Sequence, residues 1–202
     1  PPRSTLFPYT TLFRSWIAEG QVDGCLVVGA EETNWLLADA VWQFDHRAVI
    51  SGGAGALCLR SGPGPGLAVE LECITSAHTY VPPVNRAAAA LRMRRELPAG
   101  GPGELLCDGL QNRYGADAAE AAAWRDWSGP RLSPKRVLGE GLMAAGAWQC
   151  VAACDALLAS QVTAALASLV GGNQQAIGAR FLTCNEAANI TGLMGKIDGR
   201  AL

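Results

Sequence analysis

One stretch near the middle of the chain, Leu132 to Ser160, constrains the fold more than any other. It reads LSPKRVLGEGLMAAGAWQCVAACDALLAS. A turn carrying Pro134 and Lys135 leads through Gly139-Glu140-Gly141 into a helix expected to run to about Ser160. A helix built from small residues lets its neighbours approach closely, so it belongs at the centre of a layered α/β core. Its first turn aims backbone N–H groups at whatever lies in front, which favours anionic or carbonyl oxygen.

The rest of the composition narrows the class. Half of the 202 residues are apolar and 17% are charged, the balance of a globular domain. The net charge of −2 and the lack of a basic block argue against nucleic-acid binding. No apolar run approaches the ~20 residues of a membrane span, so no membrane association is expected. The seven cysteines are scattered and lie mostly in apolar runs. They read as buried thiols of a cytoplasmic protein, not as a disulfide framework. Cys150 and Cys154 sit one helical turn apart with no His or further Cys close in sequence, so they are expected in the core and no metal is expected.

Taken in order, the first fifteen residues, PPRSTLFPYTTLFRS, stand apart. They resemble a translated sequencing-adapter read and are set aside from the fold. A helix end closed by Gly20 follows. Cys25–Val28 reads as a strand buried on both faces. Thr33–Phe44 reads as a short helix with Trp35, Leu36, Ala40 and Val41 turned inward. Ala48–Leu59 is strand-like, and Gly52, Gly53 and Gly55 imply a bulge or a close backbone approach. Leu67–Ser76 alternates and is expected to form a long hairpin with that strand, its Glu70 and Glu72 facing water. Asn85–Leu97 is helical, with Arg86, Arg92, Arg94 and Arg95 on a solvated face. A short strand at Glu104–Cys107, a helix at Asp117–Trp127, the opening helix, and a hairpin of Thr163–Val170 and Gln175–Leu182 complete the pattern. His46 and His78 are expected on the surface without partners. This order predicts a layered α/β fold with a mixed β-sheet.

Four segments, in order, carry a resemblance to a known family. They are VDGCLVVGAEE (Val22–Glu32), FDHRAVISGGAGALCLR (Phe44–Arg60), SPKRVLGEGLMAAGA (Ser133–Ala147) and SLVGGNQQ (Ser168–Gln175). Together they resemble the later part of a β-ketoacyl synthase, one of the thiolase-like condensing enzymes. The resemblance implies a thiolase-like fold, incomplete and represented mainly by its C-terminal half. It covers residues 16–182, leaving 183–202 as a tail whose origin the sequence does not assign. It also implies an acyl carrier protein or acyl-CoA as partner, a homodimer or a heterodimer with another ketosynthase, and no cofactor. A chain holding part of such a fold is expected to expose a broad apolar face.

The departures from the family are as informative as the matches. The family's acyl-accepting cysteine lies in a segment expected before Trp16, and none of the seven cysteines stands in its context. The loop that carries the family's first catalytic histidine is CDGLQN here, with Asp108 at the matching position. Asp117 and Glu120 fall near an Asp…Glu pair that follows it in the family. The second histidine position is Glu140, whereas the family lysine is kept as Lys135. The resemblance therefore assigns Asp108, Lys135 and Glu140 to the site.

An ionised carboxylate only accepts hydrogen bonds, so it cannot stabilise a growing enolate as the histidines do. Two expectations follow. The chain is a degenerate, chain-length-factor-like partner in fatty-acid or polyketide-type biosynthesis. Alternatively, it is a divergent active condensing enzyme whose cysteine lies in the missing part.

Overall fold

The computed structural model describes residues 16–184 apart from 18, 45, 63–67, 82–83, 112–113 and 172–173. Both the adapter-like segment and the 185–202 part of the tail lie outside these residues.

The described chain forms layers around one helix. Strands β1 (Gly24–Glu31) and β2 (Gly53–Arg60) make an antiparallel ribbon, with Val28 opposite Ala56. Helix α1 (Trp35–Phe44) connects them. The main sheet contains β3 (Ala68–Ile74), β4 (His78–Thr79), β5 (Leu105–Cys107), β6 (Arg131–Leu132), β7 (Ala164–Val170) and β8 (Gln175–Cys184). Its order is β3-β8-β7-β5-β6, with β4 also paired to β8. β5 runs parallel to both β6 and β7, whereas β8 is antiparallel to its neighbours. The sheet is therefore mixed, as expected.

Helix α5 (Met143–Leu158) packs between the ribbon and this sheet. Helices α2 (Arg86–Glu96) and α3 (Tyr114–Ala123) pack on each other, and α2 also lies on β8. The period-two alternation of β7 explains the sandwich. Ala165 and Ala167 join Ala153, Ala156 and Leu157 of α5 in one apolar cluster. Leu166 and Val170 join Met93, Ala123 and Trp124 in the other. Small residues on both α5 and β7 allow the close approach anticipated for this helix.

The glycines of the ribbon serve the same approach on the opposite face of α5. A Cβ on Gly55 would stand 2.8 Å from the Ala147 Cβ, and one on Gly53 would stand 2.7 Å from Trp148 Cζ2. Contacts that short are forbidden to a side chain, so glycine is required. The indole Nε1 of Trp148 donates to the carbonyl of Ala54 at 3.2 Å and ties helix to ribbon.

Five expectations require correction. β1 is not buried on both faces: Leu26 and Val28 are 67% and 55% exposed, while the alternate residues of β1 are partly covered on the side that packs against α5. On α1, Trp35, Leu36 and Ala40 face outward, and Leu37, Ala38 and Val41 are the partly covered positions. β3 does not form a hairpin with β2. It pairs with β8, more than a hundred residues later, where Glu72, still partly exposed, meets Arg180 at 2.6 Å, and Glu70 is exposed as expected. Arg180 also holds Glu104 at 2.8 Å. Finally, His78 has a partner, with its Nε2 2.7 Å from Glu96 Oε1. Two of the arginines assigned to a solvated face are also engaged. Arg86 donates to the carbonyl of Val170 at 3.0 Å, and the Arg94 guanidinium lies 4.5 Å from the Trp124 ring centroid. Leu26 and Val28 of β1 and Trp35 and Leu36 of α1 are exposed large apolar residues.

Candidate functional site

The site forms where β5 and β6 end side by side. They are parallel, with Cys107 level with Leu132, and the N–H of Asp108 donates to the carbonyl of Leu132 at 3.0 Å. This register delivers Asp108 and Ser133 together beyond the carboxyl ends of two parallel strands, a location that α/β sheets commonly use for sites. Asp108 is fully buried. Its Oδ1 accepts from the Ser133 hydroxyl and from the N–H of Leu110 at 3.2 Å. Its Oδ2 faces Arg131 at 3.5 Å.

Lys135 opens the one-turn helix α4 (Lys135–Leu138). Gly139 then reverses the chain at φ +85°, and a Cβ there would meet the carbonyl oxygen of Val49 at 2.7 Å. Glu140 is pinned on both sides of its peptide: its N–H donates to Val49 O at 2.7 Å, and its carbonyl accepts from Ser51 N–H at 3.0 Å. The turn into α5 is thereby fastened to the segment leading into β2.

This fixed backbone sends the Glu140 side chain back toward Lys135. The Lys135 Nζ donates to Glu140 Oε2 at 2.9 Å, and Gln111 Nε2 donates to the same oxygen. The N–H of Leu142 donates to Oε1 at 3.0 Å. Leu142 itself stands at φ +42°, a left-handed conformation that costs a non-glycine residue about 1–3 kcal/mol. Gln111 is held in turn by its N–H, which donates to Asp117 Oδ2 at 2.9 Å.

A third carboxylate lies deeper. Glu120 of α3 is buried, and its Oε1 accepts from the Ser168 hydroxyl and from Gly109 N–H at 3.1 Å. Ser168 accepts from the Trp124 indole at 2.9 Å, so its hydroxyl is used in both senses. Burial is the largest influence on Glu120 and raises its carboxyl to about 7, with Asp108 adding to the rise. The Ser168 and Gly109 hydrogen bonds and the charge of Lys135 pull the other way. Gln149 of α5 donates to the Ser168 carbonyl at 2.6 Å and closes the back of the site.

Asp108, Lys135 and Glu140, widely spaced in sequence, thus sit in one buried polar region, along with Glu120. Glu140 forms an ion pair with Lys135, while Asp108 belongs to a separate group with Ser133 and Arg131. Gln111, Ser133 and Ser168 were not singled out from the sequence. Gln111 lies within the CDGLQN loop and Ser133 opens the SPKR segment, but an uncharged side chain gives no spacing signal until its partner is seen.

No described group of three or more His, Cys, Asp or Glu could hold a metal ion. Only Cys107 of the seven cysteines is buried, and neither it nor the partly buried Cys150 and Cys154 is an activated thiol. Burial raises Cys107 and Cys150 to about 12 and Cys154 to about 11, so they stay protonated at neutral pH. All three belong to the apolar packing between α5 and the sheet. No described helix is long and apolar enough to cross a membrane. A surface depression lined by Asp23, Gly24, Cys58 and Arg60 lies at the far end of the ribbon from the site and takes no part in it.

Comparison with solved structures decides the fold. The β-ketoacyl synthase from Burkholderia phymatum STM815 superposes with a TM-score of 0.66 at 16% identity, over 87% of this chain and 58% of that one. The chain has the thiolase-like ketosynthase fold. The ishigamide ketosynthase/chain length factor gives 0.63 at 16% identity, covering 85% of this chain and 57% of that one. The type II polyketide ketosynthase AntDE, solved with its acyl-carrier protein AntF, gives 0.63 at 13% identity over 86% and 54%. The chain therefore spans a little over half the length of the ketosynthases it matches. No family profile and no curated protein matches the sequence.

Proposed function

We propose that the chain is a ketosynthase-like protein of fatty-acid or polyketide-type biosynthesis that acts as a degenerate, chain-length-factor-like partner. The observation that carries this reading is the Lys135–Glu140 pair. Glu140 occupies the position where the family resemblance places a hydrogen-bond-donating histidine. Here that position holds an acceptor, and Lys135, the nearby donor, is committed to it at 2.9 Å. Asp108, at the other histidine position, is likewise an acceptor, taking hydrogen bonds from Ser133 and Leu110. Neither position offers the growing negative oxygen of an enolate a donor. Loss of one such donor typically lowers a rate about 10²–10³-fold.

On this reading Asp108, Lys135 and Glu140 keep the shape of the former site rather than its chemistry. The protein works by pairing with an active ketosynthase, and the acyl carrier protein or acyl-CoA is that pair's substrate carrier. Co-expression with a ketosynthase encoded beside it tests the pairing. The two chains are expected to purify together in equal amounts. A chain that stays apart from every such ketosynthase contradicts the reading.

A further inference from the structure

Three donors converge on one side chain in this site. Lys135 Nζ and Gln111 Nε2 reach Glu140 Oε2, and Leu142 N–H reaches Oε1. The lysine is buried, with its side chain 5% exposed, and Glu140 is 12% exposed. The donors come from three separate places: the loop after β5, the start of α4 and the entry to α5. The segment that carries each donor is anchored by hydrogen bonds that do not involve the Glu140 carboxylate. Gln111 N–H is bonded to Asp117, the α4 turn closes from Gly139 N–H to Lys135 O at 3.0 Å, and the Glu140 backbone is fixed to Val49 and Ser51. Shortening the Glu140 side chain therefore leaves the donors in place and removes only their occupant. Shortening Glu140 strips the buried ammonium of its hydrogen-bonded counter-charge and leaves only the more distant Glu120, so the emptied space favours an anion. Two oxygens separated as in a carboxylate match the observed split, with two donors on one oxygen and one on the other.

We infer that Gln111, Lys135 and the Leu142 N–H form a carboxylate-binding cradle that the chain fills with its own Glu140, and that a small monocarboxylate takes it when that side chain is cut back. The occupant is self-supplied, so the wild-type site is closed to outside carboxylates. This goes beyond the pairing role, and it holds whether or not the chain partners a ketosynthase.

The test uses the chain carrying Glu140→Ala and sodium formate, with sodium chloride at equal ionic strength as control. Unfolding is followed by tryptophan fluorescence at low protein concentration. Formate is expected to raise the melting temperature of Glu140→Ala saturably, by about 3–5 °C at ten times its dissociation constant. The wild type should respond to formate and chloride alike, and Gln111→Ala in the Glu140→Ala background should weaken the response severalfold. An equal response of Glu140→Ala to the two salts overturns the inference, as does an unchanged response when Gln111 is also removed. If Glu140→Ala is recovered only as aggregate, refolding decides. Recovery in formate but not in chloride supports the cradle. Failure in both, while Glu140→Gln refolds, contradicts it. The readout is binding, so its failure leaves the pairing proposal standing and the reverse also holds.

Discussion

Lys135 Nζ lies 2.9 Å from Glu140 Oε2, and both side chains are withdrawn from solvent. A buried pair of this kind is costly to break because the remaining charge is left without a partner. Lys135→Met and Glu140→Leu should each destabilise the chain by about 3–5 kcal/mol. The double variant should lose less than the sum of the two, since it leaves neither charge behind. Denaturant midpoints around the double-mutant cycle measure this, and strict additivity would show that the pair is not coupled.

Glu120 makes stability depend on pH in an unusual direction. Burial raises its carboxyl from 4.5 to about 7 in the folded chain. A carboxyl with a raised folded value is bound to its proton more tightly when folded. Its contribution is complete below about 4.5 and is lost as pH rises through about 7. That difference corresponds to roughly 3 kcal/mol, an order-of-magnitude figure. Glu120→Gln should flatten this slope between those limits. Urea midpoints measured across the window check it, and an unchanged slope in the variant would show that Glu120 is not the source.

Trp124 couples the two halves of its surroundings. It is fully buried, donates to Ser168, and stacks under Arg94. Trp124→Phe keeps most of the apolar contact but removes the indole donor, leaving Ser168 Oγ one partner short. A loss of about 1–3 kcal/mol is expected, and thermal or urea unfolding would detect it. A neutral substitution would mean that the hydrogen bond adds nothing to stability.

The sequence pattern revealed elements better than it revealed their neighbours. Alternation in Leu67–Ser76 was enough to find β3, but β3 pairs with β8, and no local signal encodes a partner so distant in the chain. The apolar run of β1 encodes a face suited to burial, not whether anything covers it. Leu26 and Val28 stay exposed although the ribbon packs on α5. The small-residue helix was legible for a different reason. Close approach demands Ala and Gly wherever the helix is placed, and the ribbon glycines answer it directly at Ala147 and Trp148. At the candidate site, the family resemblance is what singles out Asp108, Lys135 and Glu140 in the sequence, and the structure shows their side chains withdrawn from solvent. Gln111 and Ser133 emerge only from geometry, because their role is set by the carboxylate each one touches.

The exposed apolar residues of β1 and α1 have a consequence in solution. Leu26, Val28, Trp35 and Leu36 are each more than half exposed, and the outer edges of β1 and β2 have no strand partner among the described residues. Exposed apolar strand edges promote association. The chain should self-associate as its concentration rises, and Leu26→Lys with Val28→Thr should reduce this. Light scattering follows it, and a monodisperse monomer at high concentration would contradict the expectation.

The most direct test of the central claim is carbon dioxide release from a malonyl-carrier protein, with the whole reading frame expressed. On the proposed assignment of the acceptors Asp108 and Glu140 to the family's two histidine positions, no release above background is expected. Glu140→His would restore one donor and should raise release measurably. Release by the unaltered protein at ordinary enzyme rates, about 1 s⁻¹ or faster, would contradict the account.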